Sequence, residues 1–350
     1  MGDAILSLPL IEELAQSHGA VDVLAIESVE AVYHCAPSVR SVISVNFKRG
    51  TLELQKRRAI AAELRGQYGI AVILPNSFKS ALIPWLARIP VRRGMTGEMR
   101  QLLLTDRRNP PDQVNKKRFS MLHHYLQLSD ETDERGIEPS GKHRPKMMID
   151  VARQALGQHG LTTNALDDFL DRRILAICPG AEYGPAKQWP AESFAVIVND
   201  WIGQSDSHRV IILGSPADVR ISQSIMAHVQ DHSRTLNLCG KTKLLEAFAW
   251  IAKSTQVVSN DSGLMHAAAA LDIPVIGIFG SSDPQHTPPH SPRAQTLSLQ
   301  LACSPCFKRV CPLGTTACLK TLEPARVIQA INALAADAPA APREVVHASR

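Results

Sequence analysis

Short runs of apolar, often β-branched residues recur along the chain, and a helical pattern of apolar positions follows each of them. The runs predicted to be strands are VDVLAI (21–26), SVISVNF (41–47), IAVILP (70–75), ILAICPG (174–180), RVIILG (209–214), QVVSND (256–261) and PVIGIFG (274–280). Strands that are apolar nearly throughout are typical of parallel sheets covered by helices on both faces. The two groups of runs therefore predict an α/β protein with two doubly wound domains.

The two groups are separated by residues 106–170, which are predicted to form helices and loops with basic and polar stretches. We predict an N-terminal domain over 1–168, a C-terminal domain over 169–335 and a disordered tail over 336–350, where the apolar periodicity ends. A length of 350 residues agrees with two domains better than with one.

The first predicted element is a helix over 4–17, with Leu6, Leu10 and Leu14 on one face. Pro9 is expected in an early turn of this helix or at a kink. A doubly wound domain of this order would carry a strand before that helix, so we expect the first strand of the N-terminal domain to be missing. We therefore expect the chain as given to be poorly stable or inactive, because the sheet interior would be exposed and Asp3 would stand on a frayed terminus.

Composition is that of a globular protein, with 45% hydrophobic and 20% charged residues and no apolar run long enough to span a bilayer. No export signal is recognisable at the start, and we expect a cytoplasmic protein. The net charge of +5 is compatible with anionic substrates or an anionic membrane surface but is too small to indicate nucleic acid. Only 5% of the residues are aromatic, which argues against base stacking.

The stretch NDSGLMHAAAA directly follows the predicted strand at 256–261. Asp261 or Ser262 can cap a helix of small residues there, and the free amides of its first turn would bind an anion. Gly263 would let a phosphate approach closely, and Asp261 can accept hydrogen bonds from sugar hydroxyls. An ordinary capped helix explains the same pattern.

Two further loops follow strands in the C-terminal half. CPGAEYGPAKQWP is a long Gly/Pro-rich loop with one lysine, Lys187, which is suited to a diphosphate leaving group; a surface lysine without a role is the alternative. LGSPAD places Asp218 where it could meet a ribose hydroxyl, although a plain turn explains it equally well.

The N-terminal half carries basic residues near the expected carboxyl edge of its sheet, within PNSFKS and RRGMTGEMR. Lys79, Arg92, Arg93 and Arg100 would suit an acidic acceptor, and a solvated run of charge is the alternative. Asp3, at the start of the first helix, is expected to be either a helix-dipole partner or a general base that faces the phosphate-binding loops.

Seven cysteines are present, and four of them are close together in CSPCFKRVCPLGTTAC. Cys303, Cys306, Cys311 and Cys318 could hold a structural zinc ion or an iron–sulfur cluster. Their spacing matches neither paired CxxC knuckles nor a ferredoxin run. Redox disulfides or inert thiols remain open alternatives.

Taken in this order, GDAILSLPL, PNSFKSAL with GEMR, GAEYGPAKQWP, NDSGLMHAAAAL and CSPCFKRVCPLG resemble the lipopolysaccharide heptosyltransferase family. The resemblance extends from residue 2 to about residue 335 and is greatest to the members that add the second heptose. It implies a GT-B architecture, with two Rossmann-like domains facing across a cleft. It also implies transfer of L-glycero-D-manno-heptose from ADP-heptose to the first heptose of the lipopolysaccharide inner core, with inversion.

Three alternatives to this function remain. A heptosyltransferase I acting on Kdo and another GT-B nucleotide-sugar enzyme such as an epimerase are also enzymes. A nucleic-acid-binding or metal-binding module built on the cysteines would belong to a different class.

The resemblance also assigns residues. Asp3 would be the catalytic base, and Lys187 would contact the donor diphosphate during catalysis. The donor-binding set is Glu182, Lys187, Asp218, Thr242, Asp261, Ser262, Gly263, Leu264 and His266. The expected acceptor-binding set is Asn76, Ser77, Lys79, Arg93 and Arg100. ADP-heptose, a lipid A–Kdo–heptose acceptor and the cytoplasmic face of the inner membrane, contacted peripherally, are the expected partners, with no nucleic acid and no required cofactor or metal.

Overall fold

The computed structural model describes residues 1–48, 50–109, 120–130, 141–149, 156–157 and 159–336. The predicted tail over 336–350 lies outside these residues from 337 onward. Among the helices of the described residues, none combines the length and the apolar content that crossing a bilayer requires.

The N-terminal half alternates helices and parallel strands. Its helices are α1 (Gly2–Leu6), α2 (Leu8–His18), α3 (Glu30–His34), α4 (Leu54–Leu64), α5 (Phe78–Leu86) and α6 (Met121–Leu126). Its strands are β1 (Val21–Ile26), β2 (Val39–Val45), β3 (Ile70–Ile73), β4 (Val91–Met95) and β5 (Asp106–Arg108). The predicted first helix is broken at Ser7, and Pro9 lies in the first turn of α2, where its missing N–H costs nothing.

The N-terminal strands form two separate parallel sheets, β1–β2 and β3–β4–β5. Val21, Val72 and Leu74 pack against the same apolar face of α1 and α2, so these helices join the two sheets. The expectation that both sheet faces are covered is wrong for β1, because Leu24 and Ile26 are exposed on one side of it. The strand expected upstream of the first helix stays a prediction.

The C-terminal half contains a single six-stranded parallel sheet in the order β11-β10-β9-β6-β7-β8. Its strands are β6 (Arg173–Cys178), β7 (His208–Ile212), β8 (Thr235–Asn237), β9 (Gln256–Asn260), β10 (Val275–Ile278) and β11 (Ala294–Leu297). Its helices are α7 (Thr163–Leu170), α8 (Ala191–Gln204), α9 (Val219–Met226), α10 (Leu244–Lys253), α11 (Gly263–Ala270), α12 (Ala317–Lys320) and α13 (Pro324–Ala336). This strand order is that of a dinucleotide-binding Rossmann domain.

The two halves share one apolar cluster. Ile5 of α1 and Val32 of α3 belong to the same buried group as Met265 and Ala268 of α11. The chain between the halves adds a backbone hydrogen bond from the Met147 amide to the Ala270 carbonyl, at 2.9 Å. The start of the chain is thereby held against the C-terminal half.

Candidate active site

The site is built around the point where the C-terminal strand order reverses. β6 and β9 are neighbours in the sheet, and β9 lies between β6 and β10. Crossovers leave neighbouring strands in opposite directions at such a point, so a crevice opens beyond their carboxyl ends. The loop at 179–190 and the start of α11 both border this crevice.

The loop after β6 is fixed at both ends by the buried side chain of Asn260. Its amide nitrogen donates to the Pro179 carbonyl at 2.7 Å, and its amide oxygen accepts from the Trp189 backbone N–H at 3.1 Å. Trp189 is fully buried, and its indole N–H donates to the Leu322 carbonyl. These contacts hold Lys187, which lies between the two anchors, in a defined position.

Lys187 and Asp261 form a salt bridge, with the ammonium nitrogen 2.5 Å from a carboxylate oxygen. Their side chains are 18% and 5% exposed, so the pair is largely removed from water. The Lys187 nitrogen also lies 5.2 Å from the centre of the Tyr183 ring, and the Arg309 guanidinium lies at the same distance from that ring. Two cations therefore flank one side of the crevice, while Glu182 is exposed beside them.

The N-terminus of α11 has no side-chain cap. Ser262 is the N-cap residue, but its hydroxyl pairs with the Ser259 hydroxyl at 3.1 Å and makes no capping hydrogen bond. Ser262, Gly263 and Leu264 are half-buried, and the Met1 side chain packs over Gly263. Ser262 thus occupies the N-cap position, one of the two predicted, without capping the helix through its side chain, and the first-turn amides keep their capacity to bind an anion.

His266 lies on the first turns of α11 and is buried. Burial lowers its pKa to about 4, with the Asp261 carboxylate acting in the opposite direction. Its Nδ1 atom has no hydrogen-bond partner among the described residues. A neutral imidazole with a spare polar atom thus lies beside the Lys187–Asp261 pair.

Three further polar side chains in the C-terminal half were not predicted from the sequence. Ser281 and Ser282 follow β10, and both have buried hydroxyls that lack a partner within the described part of the chain. His290 is close enough to influence the His266 ring, and burial lowers its own pKa to about 4. The stretch FGSSDP directly after a predicted strand was the available signal for the two serines.

Asp218 is buried in a capping box. Its carboxylate accepts from the Ser215 N–H at 2.8 Å and from the Ser215 hydroxyl at 2.7 Å. A methyl group added at Gly180 would lie 2.6 Å from the same carboxylate, so Asp218 borders the loop after β6. Thr242 is half-buried in the turn that precedes α10, on the β8 side of the sheet.

Asp3 is exposed on α1, and this helix packs directly against α11. A methyl group added at the neighbouring Gly2 would lie 3.2 Å from the His266 ring. Burial raises the pKa of Tyr125, and the negative charge of the nearby Asp3 carboxylate raises it further. Asp3 thus stands on a helix that packs against α11, close to Tyr125.

Two of the expected acceptor-binding residues, Arg93 and Arg100, are buried inside the N-terminal half. Arg93 pairs with Asp106 at 2.6 Å and with Asp130 at 2.7 Å; burial acts to lower the pKa of Arg93, but these hydrogen bonds raise it overall. Arg100 is fully buried, donates to the Met95 carbonyl at 2.6 Å, and has its pKa lowered by burial. The expectation that these two face an acceptor is corrected, because their guanidiniums are enclosed and engaged.

The other expected acceptor contacts remain near the surface. Asn76 is exposed, although its amide oxygen accepts from Arg100 at 2.8 Å. Ser77 caps α5 by accepting from the Ser80 N–H, and Lys79 donates to the Gly50 carbonyl at 3.1 Å. These three side chains lie at the carboxyl edge of β3.

The four clustered cysteines have free thiols, with Cys303 exposed and Cys306, Cys311 and Cys318 half-buried. Within the described ranges, no group of three or more His, Cys, Asp or Glu side chains is arranged to hold a metal ion. The geometry therefore gives no support to a structural zinc site. The Cys311 sulfur accepts from the Thr316 N–H at 3.4 Å, and such backbone hydrogen bonds lower its pKa.

Sequence comparison identifies relatives over most of the chain. The family model described as glycosyltransferase family 9 (heptosyltransferase) matches residues 57–317. Lipooligosaccharide heptosyltransferase 2 of Haemophilus influenzae is 37% identical over 310 residues, which cover 85% of this chain and 86% of that protein. Lipopolysaccharide heptosyltransferase 2 of Escherichia coli is 33% identical over 341 residues, covering 95% of each.

Structural comparison agrees with these matches. The solved structure of E. coli ADP-heptose LPS heptosyltransferase II superposes with a TM-score of 0.78 at 30% identity and covers 95% of both chains. E. coli heptosyltransferase WaaC, solved with ADP, shares the fold with a TM-score of 0.68 at 18% identity, covering 95% of this chain and 97% of that one. From the length of the family match and the identity to these relatives, the chain belongs to glycosyltransferase family 9, the heptosyltransferase family.

Proposed function

We propose that this protein transfers L-glycero-D-manno-heptose from ADP-heptose to the first heptose of the lipopolysaccharide inner core, with inversion at the anomeric carbon. The observation that carries the proposal is the Lys187–Asp261 pair beside the uncapped start of α11, at the point of strand-order reversal. The similarity to two relatives named heptosyltransferase 2 over most of the chain supports the choice of reaction.

The donor diphosphate would bind between Lys187 and the amides of Ser262, Gly263 and Leu264. A nucleoside diphosphate that departs from a sugar gains negative charge, and preorganised donors in a half-buried site stabilise that charge. Asp261 would keep Lys187 in place and lie near the sugar, while His266 borders the same space as a neutral group. Glu182, Asp218 and Thr242 would line the remainder of the donor site.

Asp3 would remove the proton from the acceptor hydroxyl. This carboxylate is exposed, lies close to Tyr125, and stands on the helix that packs against α11. A base in that place would activate an alcohol that attacks from the side opposite the leaving diphosphate, which gives inversion. Asn76, Ser77 and Lys79 are the surface residues through which the acceptor domain would hold an anionic core sugar.

We further propose that the acceptor is lipid-borne and that the protein works at the cytoplasmic face of the inner membrane. The net charge of +5 favours association with anionic lipid and with an acceptor that carries acidic groups.

The decisive experiment is turnover of ADP-heptose with a core acceptor that ends in one heptose, comparing the wild type with Asp3→Asn. We expect kcat to fall by about 10²- to 10⁴-fold while ADP-heptose still binds, since only the proton acceptor is removed. Glu12→Gln is the matched control, because Glu12 is a carboxylate on the adjoining α2 that pairs with Lys146 at the surface. Unchanged turnover in Asp3→Asn would remove the base assignment.

The same assay separates the alternatives. An acceptor that ends in Kdo and lacks heptose should be a poor substrate; preferential turnover of it would establish the first-heptose reaction instead. Release of a free or epimerised sugar without acceptor glycosylation would overturn the transferase proposal altogether.

A further inference from the structure

Large apolar side chains are exposed on one layer of the N-terminal half. Helix α5 covers one face of the β3–β4–β5 sheet. The 3₁₀ turn Arg100–Leu102 and the leucines after it cover the same face, since Ala81, Leu82 and Leu103 belong to one apolar cluster. On the solvent side of this layer stand Phe78, Trp85, Met99 and Leu102, with exposed fractions of 38%, 45%, 73% and 76%. We call these four side chains the apolar face.

The exposure of Met99 is imposed by an anchored loop. Glu98 and Met99 both adopt left-handed backbone conformations, with φ of 44° and 57°. The fully buried Arg100 fixes the loop from below, and the Glu98 carboxylate accepts from the Phe78 N–H at 3.2 Å. Such a conformation is unfavourable for residues other than glycine, so the anchored loop rather than local preference sets the backbone at Met99.

Basic residues outnumber acidic ones in the segment that carries this layer. Residues 78–109 contain seven Lys and Arg residues against two Asp and Glu, a net charge of +5 that equals the charge of the whole chain. Arg93 and Arg100 are buried, but Arg88 and Arg107 are exposed beside the apolar face. Exposed methionine, leucine and tryptophan together with arginine are the composition of surfaces that rest on anionic lipid.

We propose that the apolar face is the surface by which this protein docks on an anionic lipid bilayer. Met99 and Leu102 would enter the interfacial region, Trp85 would lie at the headgroup level, and Arg88 and Arg107 would contact lipid phosphates. Phe78 directly follows the loop after β3, so docking here brings Asn76 and Lys79 to the lipid surface. The proposal deepens the proposed function, since a lipid-borne acceptor would then be presented at the acceptor domain.

Vesicle binding by the full chain tests this surface. We expect co-sedimentation with vesicles of phosphatidylethanolamine and phosphatidylglycerol, and little with phosphatidylcholine alone. The double variant Met99→Ser with Leu102→Ser should bind the anionic vesicles about tenfold more weakly, because two apolar side chains no longer leave water. Val310→Ser with Leu313→Ser is the matched control, since these side chains are 68% and 62% exposed in the C-terminal half.

Arg107→Gln should weaken binding to anionic vesicles and reduce its sensitivity to salt, without affecting the thermal melt. The proposal is overturned if the wild type does not sediment with anionic vesicles, or if both double variants bind equally well. It is also overturned if the Met99 and Leu102 variant converts a dimer to a monomer while vesicle binding is absent, because the face would then join two copies of this chain.

Turnover of a water-soluble, deacylated acceptor separates this inference from the proposed function. The Met99→Ser, Leu102→Ser variant should retain wild-type turnover with that acceptor and lose it only with the lipid-borne form. Absence of turnover in the wild type, with vesicle binding intact, would refute the proposed function and leave the docking surface standing.

Discussion

Replacing Lys187 with methionine removes one charge of a largely buried pair and keeps most of the side-chain volume. Asp261 would then be an uncompensated carboxylate with 5% of its side chain exposed. Removal of one partner of a buried pair costs about 3–5 kcal/mol, because the remaining charge stays desolvated. For a domain of this size, 1 kcal/mol corresponds to about 2–4 °C in melting temperature. We therefore expect Lys187→Met to melt at least several degrees below the wild type.

The double variant Lys187→Met with Asp261→Asn separates stability from catalysis. With both charges removed, the melting temperature should return most of the way to that of the wild type, since no charge is left unpaired. Turnover should nevertheless remain about 10²- to 10³-fold below that of the wild type, as expected when a hydrogen-bond donor to the leaving diphosphate is lost. If the pair had only a structural role, the double variant would recover both its melting temperature and its turnover.

Thermal melts and initial rates of ADP release, measured on the same preparations, provide the two readouts. Lys253→Met is the matched control, because Lys253 is exposed at the end of α10 and its loss should change neither quantity. The reasoning fails if the double variant recovers wild-type turnover. It fails equally if Lys187→Met retains full activity.

Three further predictions concern residues around the site. The pKa of His266 is lowered from 6.5 to about 4, so the unfolded chain takes up a proton between these values and the folded protein does not. From this group alone we expect about 2 kcal/mol less stability at pH 5 than at pH 7.5, and in urea titrations His266→Gln should reduce the total difference by about that amount. Arg93→Met should destabilise the fold by about 3–5 kcal/mol and leave the acceptor KM unchanged below the melting transition, whereas a raised KM with unchanged stability would restore its acceptor role. Gly180→Ala should raise the donor KM, since its methyl group would lie 2.6 Å from the Asp218 carboxylate. The control is Gly203→Ala on α8, whose methyl group would meet no side chain or other element within 4 Å. It should stabilise the protein slightly and leave KM unchanged.

The C-terminal half was predictable from the sequence because its central strands are apolar on both faces. β6, β7, β9 and β10 all lie within the predicted runs or begin one residue before them. The edge strands β8 and β11 were missed, because edge strands are short and half-exposed and so lack a continuous apolar pattern.

The N-terminal half was harder to predict because charged residues lie inside its strands. β4 has the sequence VRRGM and β5 has DRR, and these read as basic surface rather than as strand. Arg93 is tolerated within β4 because Asp106 and Asp130 neutralise it. Such pairing joins positions 13 and 37 residues apart, and nothing in the local pattern indicates it.

The loops of the proposed donor site could be outlined from the sequence for a physical reason. Each of its loops directly follows an apolar strand, so topology alone brings the carboxyl ends of β6 and β9 together. The salt bridge between Lys187 and Asp261, the tyrosine beside Asp3, and the buried serines after β10 depend on side-chain packing across the fold. Periodicity carries no information on contacts of that kind.

The cost of the Lys187–Asp261 pair argues that ligand chemistry, rather than folding, maintains it. A buried ion pair is often no more stabilising than apolar residues of similar volume, so stability alone gives no reason to keep two charges at the end of β9. Diphosphate binding does give such a reason, because the lysine has to be charged and in place before the ligand arrives. Asp261 meets that requirement at 2.5 Å, and the Asn260 side chain beside it fixes the loop that carries Lys187. Neighbouring residues on one strand end thus set both the charge and the position of the group that would receive the leaving diphosphate.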